Sequence, residues 1–448
     1  MAQAKKCGKL RPRGKSLPQA LREFLTPEIF KQVRKSLTRR RQPRWDIHPL
    51  VYILLMMSWC CGESLPEQFE TARGFYVVCC AKRKRPGTTC SGFERAVSRL
   101  PMPVLRALAA ALRERMVSVF GERLFYKGFI PLGCDGTRQE TPRTAELEQR
   151  LGTFGKPGSA PMIWNTSIVH LLLGIPFCWR FGLGGKASER HHLLQMLSLL
   201  PKMALLVADA GYVGFDLVRQ LIEKNVFFLI RMSSSATFYT EEMKPLETFE
   251  DGLVYYWPKS MQKANKPPIL ARLIRVRSQD AKDVWLLTNV KDSVKLPLQL
   301  AALFYRWRWE NEGFFRTYKR TLKKVKLMSR TVRLVHREAE ASMIATQLLL
   351  CQGALAMPAP KTQTDEVPLM CSPRGVLLEI RRDIRDLTFP HDFTHRLTKV
   401  QRDRRPRKTA KQKREWPRRK THTPPQPPNL LRLTEELKSK MEQHIQAI

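Results

Sequence analysis

The sequence predicts an α/β protein: a mixed sheet flanked by helices and interrupted by a β-rich insertion. A helical N-terminal region precedes it and a basic C-terminal tail follows. Three observations carry this prediction. Between about residues 126 and 235, short apolar runs of strand length alternate with helical segments. Over 236–283, β-type runs separated by Lys/Pro-rich turns break that rhythm. A long amphipathic segment then runs from Leu296 to about Arg330, with its cations on one face and its aromatics on the other.

Taken in order, residues 1–125 read as helical, with runs such as Leu105 to Arg113 and basic patches at Arg39-Arg40-Arg41 and Lys82 to Arg85. Phe129 to Cys134 is the first strand of a catalytic part spanning 126–235. Met162 to Leu173 and Phe177 to Leu183 form a hairpin joined at Gly174-Ile-Pro. Ser188 can cap a helix reaching about Leu200. Met203 to Ala208 is a short buried strand, a helix follows near Phe215 to Lys224, and Val226 to Met232 is a strand again. The insertion, 236–283, carries strands at Leu253 to Trp257 and Ile269 to Val276. A second catalytic part, 284–355, opens with a strand at Trp285 to Val290 and contains the long helix. Residues 356–448 are Pro-rich and basic, with 13 Lys/Arg between 396 and 420 opposed only by Asp403 and Glu415. That composition predicts a partly disordered tail ending in an amphipathic stretch, Leu430 to Ile448.

The 448 residues carry 79 Lys+Arg against 40 Asp+Glu, a formal charge of +39. Such self-repulsion calls for a polyanion, with nucleic acid ahead of an anionic membrane. The longest apolar stretch, Leu50 to Cys61, falls short of the roughly 20 residues that span a bilayer. The basic N-terminus has no apolar segment after it, so a cytoplasmic, nucleoid-associated protein without a secretory signal is expected. Ten cysteines without any CxxC spacing read as reduced thiols rather than disulfides or zinc ligands.

Three carboxylates stand out. Asp135 follows the first strand directly, and Asp209 follows Leu-Leu-Val-Ala in the same way. Acids so placed emerge at the carboxyl edge of a sheet, where open α/β folds carry their chemistry. Each equally suits a turn, since Asp-Gly and Asp-x-Gly are good turn sequences. On a helix of about 100° per residue, Tyr305, Arg308, Glu312, Arg316, Lys319, Lys323, Lys326 and Arg330 share one face. Leu303, Phe304, Trp307, Phe314, Tyr318, Leu322 and Val325 share the other. A solvated face normally mixes both signs, and this one has a single acid. Glu312 therefore reads either as a metal ligand among phosphate-binding cations or as an i,i+4 partner of Arg308 and Arg316. Three carboxylates at one sheet edge suit two Mg²⁺ ions about 4 Å apart, the arrangement that cleaves phosphodiesters.

The spacing Tyr305-x2-Arg308-x3-Glu312-x6-Lys319, within YRWRWENEGFFRTYK, resembles the Y-R-E-K signature of bacterial insertion-sequence DDE transposases. The resemblance covers roughly 126–350 and implies a ribonuclease-H-like catalytic domain with a β-strand insertion between the second Asp and the Glu. It implies Asp135, Asp209 and Glu312 as the metal-binding triad for Mg²⁺, with Mn²⁺ as a substitute. Tyr305, Arg308 and Lys319 would hold phosphates of the element's end, with Arg316, Lys323 and Lys326 extending that surface. Trp285, 20 residues before Tyr305, lies close to where hairpin-forming members stack a flipped base; the other reading is a strand aromatic entering the core. The implied activity is cut-and-paste transposition on double-stranded DNA by a homodimer. The alternatives are a ribonuclease-H-like nuclease without strand transfer and a domesticated DNA-binding protein without catalysis.

Other signals are weaker. Gly182 to Ala187 satisfies GxGxxA but follows the second arm of a hairpin instead of opening a βα unit. No complete phosphate-binding GxxxxGK[ST] loop occurs, and His191-His192 read as a solvated pair at a helix start.

Overall fold

The computed structural model describes residues 14–35, 45–80, 85–152, 158–183, 188–241, 246–277, 283–358, 371–400 and 426–446. The basic patches at 39–41 and 82–84, the glycines at 184–185 and tail residues 401–425 lie outside them.

Six helices come first: α1 (Leu17–Arg22), α2 (Pro27–Lys35), α3 (Ile47–Met57), α4 (Leu65–Cys79), α5 (Cys90–Arg99) and α6 (Met102–Phe120). The apolar run at Leu50 forms most of α3, whose eleven residues are all buried. Asp46 caps it by accepting from the Ile47 N–H at 2.8 Å. A run of this length is a core helix, and no helix among the described residues is long and apolar enough to cross a membrane.

The sheet begins with β1 (Ile130–Glu140), followed by α7 (Ala145–Leu151), β2 (Met162–His170), β3 (Ile175–Leu183), α8 (Glu189–Met196), β4 (Ala204–Ala208), α9 (Phe215–Glu223) and β5 (Phe227–Arg231). The insertion supplies β6 (Thr237–Thr240), β7 (Asp251–Tyr256), α10 (Lys259–Lys263) and β8 (Ile269–Val276) before β9 (Val284–Thr288). The spatial order is β10-β6-β7-β8-β9-β5-β4-β1-β2-β3. Within it, β1, β4 and β5 run parallel, while β1, β2 and β3 form an antiparallel meander. This is the sheet of a ribonuclease-H-like fold. The insertion strands extend the sheet beyond β9 instead of forming a separate patch.

The long helix expected over 296–330 is broken. It consists of α11 (Leu298–Trp307), α12 (Glu310–Arg316) and a π-helical turn, Thr317–Thr321. The first break comes where the Arg308 and Trp309 N–H groups bond three residues back, to Tyr305 and Arg306, tightening the turn. The end comes at Lys323, whose φ of 56° is left-handed and cannot propagate a helix. Residues beyond it return to the sheet: the Glu140 N–H donates to Val325 at 3.0 Å, and the Leu327 N–H to Glu140 at 2.8 Å.

The central helix is α13 (Val332–Ala356), buried almost continuously from Val335 to Ala354. It joins α1–α6 to the sheet through one core. The tail is more structured than its composition suggests. Helices α14 (Pro373–Asp386) and α15 (Phe393–Thr398) bury Val376, Ile380, Phe393 and Leu397. Strand β10 (Asn429–Arg432) pairs parallel with β6, and α16 (Glu435–Gln446) follows.

Candidate active site at the end of the central strands

Asp135 does not follow β1; it lies inside it. What ends beside it is the neighbouring strand. The parallel register ends with Gly133 opposite Val207; Asp135 comes two residues further along β1, and Asp209 two residues further along its own segment, just past the end of β4. On its other side Asp135 faces Ser167 of β2. The sequence hid this because Asp-Gly-Thr-Arg-Gln-Glu reads as polar turn, whereas pairing with β2 carries the strand on to Glu140.

Each Asp also makes the local bond its turn reading predicted. The Asp135 Oδ1 accepts from the Gly136 N–H at 2.8 Å, and the Asp209 Oδ1 accepts from the Gly211 N–H at 2.8 Å, opening a 3-10 turn. The local role and the place at the strand end coexist.

Helix α12 brings the third acid. Asn311, wholly buried, packs against the backbone of Gly133, and a β-carbon at 133 would lie 2.5 Å from its Nδ2. Glu312 follows on the exposed side of the first turn. Burial raises the pKa of Asp135, and the negative charges of Asp209 and Glu312 raise it further. The Gly136 N–H and the positive charge of Arg308 pull the other way. Asp135, Asp209, Glu312 and Arg308 are thus close enough to interact electrostatically. Among the described residues, no three His, Cys, Asp or Glu side chains stand close enough together to ligate one ion. The donor set itself, carboxylate oxygens throughout, suits a hard divalent cation.

The rest of the predicted stripe divides. Arg308 is only 9% exposed, and its guanidinium lies over the rings of Trp309 (5.0 Å) and Tyr305 (5.7 Å). The Tyr305 hydroxyl and the Arg308 Nε are buried without hydrogen-bond partners among the described residues. Arg316 is exposed and Lys319 half-buried, its pKa lowered by burial against the opposing charge of Glu140. Lys323 and Lys326 are exposed but lie beyond the π turn, off any helical face. Trp285 is a correction: it is 4% exposed in β9, packed against Phe249 and under Arg275, so the core holds it. The exposed indole beside the site is Trp309, at 59%.

A residue the sequence reading passed over stands close by. Glu189, the first residue of α8, has its pKa raised by burial and then by the charges of Asp135 and Asp209. Its only local signal is an acid in the first turn of a helix, which ordinary dipole complementarity explains.

Residues 135–348 match the family model of the transposase DDE domain. A 151-residue stretch is 28% identical to the Sinorhizobium fredii (strain NBRC 101917 / NGR234) protein named "Putative transposase y4zB", covering 33% of this chain and 42% of that protein. The chain thus matches less than half the length of that relative. A piggyBac transposase in a synaptic complex with hairpin DNA overlaps 87% of this chain and 86% of its own, at 10% identity and a TM-score of 0.40. The chain is thus similar to transposase DDE domains over a region that opens on Asp135 and reaches past Glu312 into α13.

Proposed function

We propose that the protein is a cut-and-paste DNA transposase. It hydrolyses a phosphodiester at each end of a mobile element and joins the released 3′-hydroxyl to target DNA. The observation that carries this reading is that Asp135, in β1, lies beside the end of β4, that Asp209 directly follows β4, and that Glu312 sits on a helix packed against β1. A purely phosphate-binding face would gain nothing from acids set among its cations.

Asp135, Asp209 and Glu312 would hold two Mg²⁺ ions, or Mn²⁺ in their place, which supply Lewis acidity at the scissile phosphate. The chain's own residues do the positioning. The positive charge of Arg308 offsets part of the carboxylate charge at Asp135. Tyr305 in α11, Arg316 in α12 and Lys319 in the π turn flank Glu312 and would hold backbone phosphates, while Lys323 and Lys326 lengthen the basic track beyond it. In the first step water attacks phosphorus, the P–O3′ bond breaks and the 3′ oxygen takes a proton. In the second, that 3′-hydroxyl attacks a target phosphodiester and displaces its 3′ oxygen. Two element ends must be cut together, so the working form is a homodimer on double-stranded DNA.

The test is Glu312→Gln. The variant should bind element-end DNA as the wild type does and lose Mg²⁺-dependent strand cleavage. Undiminished cleavage removes Glu312 from the triad. End-to-target joining by the wild-type protein separates a transposase from a nuclease that only cuts.

A further inference from the structure

We propose that a band of arginines running from Arg138 of β1 across to the outer strand β3 is a docking surface for the target duplex, separate from the cations that flank Glu312. The inference rests on the transposase reading above and assigns a second DNA to the other face of the same sheet. Three observations support it.

The first is the placement of side chains on that face. Strand β3 ends the strand order of the sheet. The register sets Arg138 opposite Trp164, and Thr166, on the same side of β2, opposite Arg180 of β3. Alternation puts Arg138 on the face of β1 away from Gly133 and Asp135. Arg138 is exposed and holds its guanidinium 4.5 Å above the Trp164 ring. A guanidinium so stacked is held flat, the geometry that takes a phosphate through two N–H groups.

The second is a gathering of like charge beside it. Arg180 donates from Nη1 to the Trp179 carbonyl at 2.9 Å, which keeps it on the outer strand. Burial lowers its pKa, and the charges of Arg106 and Arg113 on α6 lower it further against the pull of Cys178 and Glu340. Arg113 and Arg180 both act on the buried Cys178 thiol as well, so α6 and the outer strand share one electrostatic neighbourhood. The acids within reach do not balance it. Glu340 is 4% exposed and already accepts from Trp179 Nε1 at 2.7 Å, and Glu189 faces Arg138 from α8. Cations gathered in this way repel one another, and a polyanion offsets the repulsion.

The third is the chemistry of joining. The attacking and leaving oxygens stand in line on opposite sides of phosphorus, so two DNA molecules approach the carboxylates from opposite directions. In the reading above the element end lies along Tyr305, Arg316 and Lys319, on the side of β1 that carries Asp135. Arg138 stands on the other side, three residues past Asp135 and so about 10 Å along the strand. That span is below the roughly 12 Å width of a major groove. One duplex can therefore set a phosphodiester at the carboxylates and another phosphate on Arg138.

The experiment uses the full chain as wild type, as Arg106→Gln/Arg113→Gln/Arg138→Gln, as Arg138→Gln alone, and as the charge-keeping Arg106→Lys/Arg113→Lys/Arg138→Lys. Each receives uncut element ends for cleavage, pre-cut ends with a target plasmid for joining, and a non-specific duplex for binding across a salt series. In the triple glutamine variant joining should fall roughly tenfold or more while cleavage stays within about twofold, and the slope of log K against log salt should drop by about 2–3. Arg138→Gln, at an exposed position, should lower that slope by about 1. The triple lysine variant should join as the wild type does. Wild-type joining and slope in the glutamine variants overturn the band, as does equal loss of joining in the lysine variant. Cleavage that falls in step with joining places the element end on the band and overturns the target assignment. A wild-type protein that makes no joints overturns the transposase reading instead, and the salt slopes still decide whether the band binds DNA.

Discussion

Gly133→Ala is expected to push α12 off the sheet and to damage both stability and DNA cleavage. The new β-carbon would lie 2.5 Å from Asn311 Nδ2, 2.6 Å from Leu171 Cδ2 and 2.9 Å from Asn311 Oδ1. Ordinary contact requires about 3.4 Å or more, so the neighbours must retreat by close to 1 Å. Neither has room, since Asn311 is wholly buried and Leu171 is 2% exposed. Overpacking of this kind costs about 1–3 kcal/mol, which lowers the thermal midpoint by several degrees in a domain of this size. Glu312 is the residue after Asn311, and a misplacement of about 1 Å at a catalytic group costs on the order of 100-fold in rate. Urea unfolding and a strand-cleavage assay on element-end DNA read the two effects separately. Asn311→Ala supplies the control. Neither amide atom of Asn311 has a hydrogen-bond partner among the described residues, so its removal orphans no group and makes space for the alanine. The double variant should therefore recover about 1–2 kcal/mol relative to the sum of the singles. Effects that add within about 0.5 kcal/mol, or full cleavage by Gly133→Ala, would refute the claim that this contact places Glu312.

Two further predictions concern the frame around the site. His170 is buried, accepts at Nδ1 from the Leu173 N–H (3.2 Å) and meets the Leu124 carbonyl through Nε2 (2.9 Å), and burial lowers its pKa to about 4. The folded state thus resists a proton that the unfolded chain takes up near pH 6.5. Its stabilisation is complete above about pH 6.5 and is lost as the pH falls toward 4, by roughly 3 kcal/mol. Unfolding free energies at pH 7 and 4.5 should fall less steeply in His170→Asn; an unchanged slope would remove this residue as the cause. Arg272, 2% exposed, grips Asp251 with two hydrogen bonds of 2.7 and 2.5 Å and donates to the Leu296 carbonyl at 2.8 Å. Arg272→Met should destabilise the β7–β8 hairpin by about 3 kcal/mol, read as faster amide exchange there; wild-type protection factors would show that the pair contributes nothing.

The strand and helix order from Met162 to Arg231 was readable because each element is an apolar run bounded by turn chemistry, which is local information. The long segment after Leu296 was readable in its faces but not in its continuity. Phe304, Trp307, Phe314, Tyr318 and Leu322 are buried as the helical projection requires. Val325 is 47% exposed, because the left-handed Lys323 has already turned the chain away. A projection assumes a regular backbone and has no term for such a residue. Trp285 illustrates a different limit. An aromatic in a five-residue strand has two faces to choose from, and only the packing of Phe249 and Arg275 decides which. Glu189 was invisible for a third reason: its significance lies in the absence of a side chain at position 136, 53 residues earlier in the sequence.

The acids belong to separate chain segments, and β1 provides the common reference that relates them. Its odd positions face α12 and the π turn: Gly133 meets Asn311, and Gln139 donates to the Tyr318 hydroxyl (3.1 Å) and the Lys324 carbonyl (3.0 Å). The Tyr318 hydroxyl in turn bonds Ser342 of α13 at 2.7 Å. The helix bearing Glu312 is therefore fixed to β1 before and after Asp135, and its exit is fixed to the central helix. On the even face, Gly136 receives Glu189. Two missing side chains in one strand thus set two independent distances, one from each helix layer to Asp135. Enlarging residue 133 should disturb Glu312 and leave the Glu189 contact intact, and enlarging residue 136 should do the reverse. Strand cleavage, which the site reading assigns to Glu312, should therefore fall further in Gly133→Ala than in Gly136→Ala. Equal losses in the two variants would show that the two distances are not set independently.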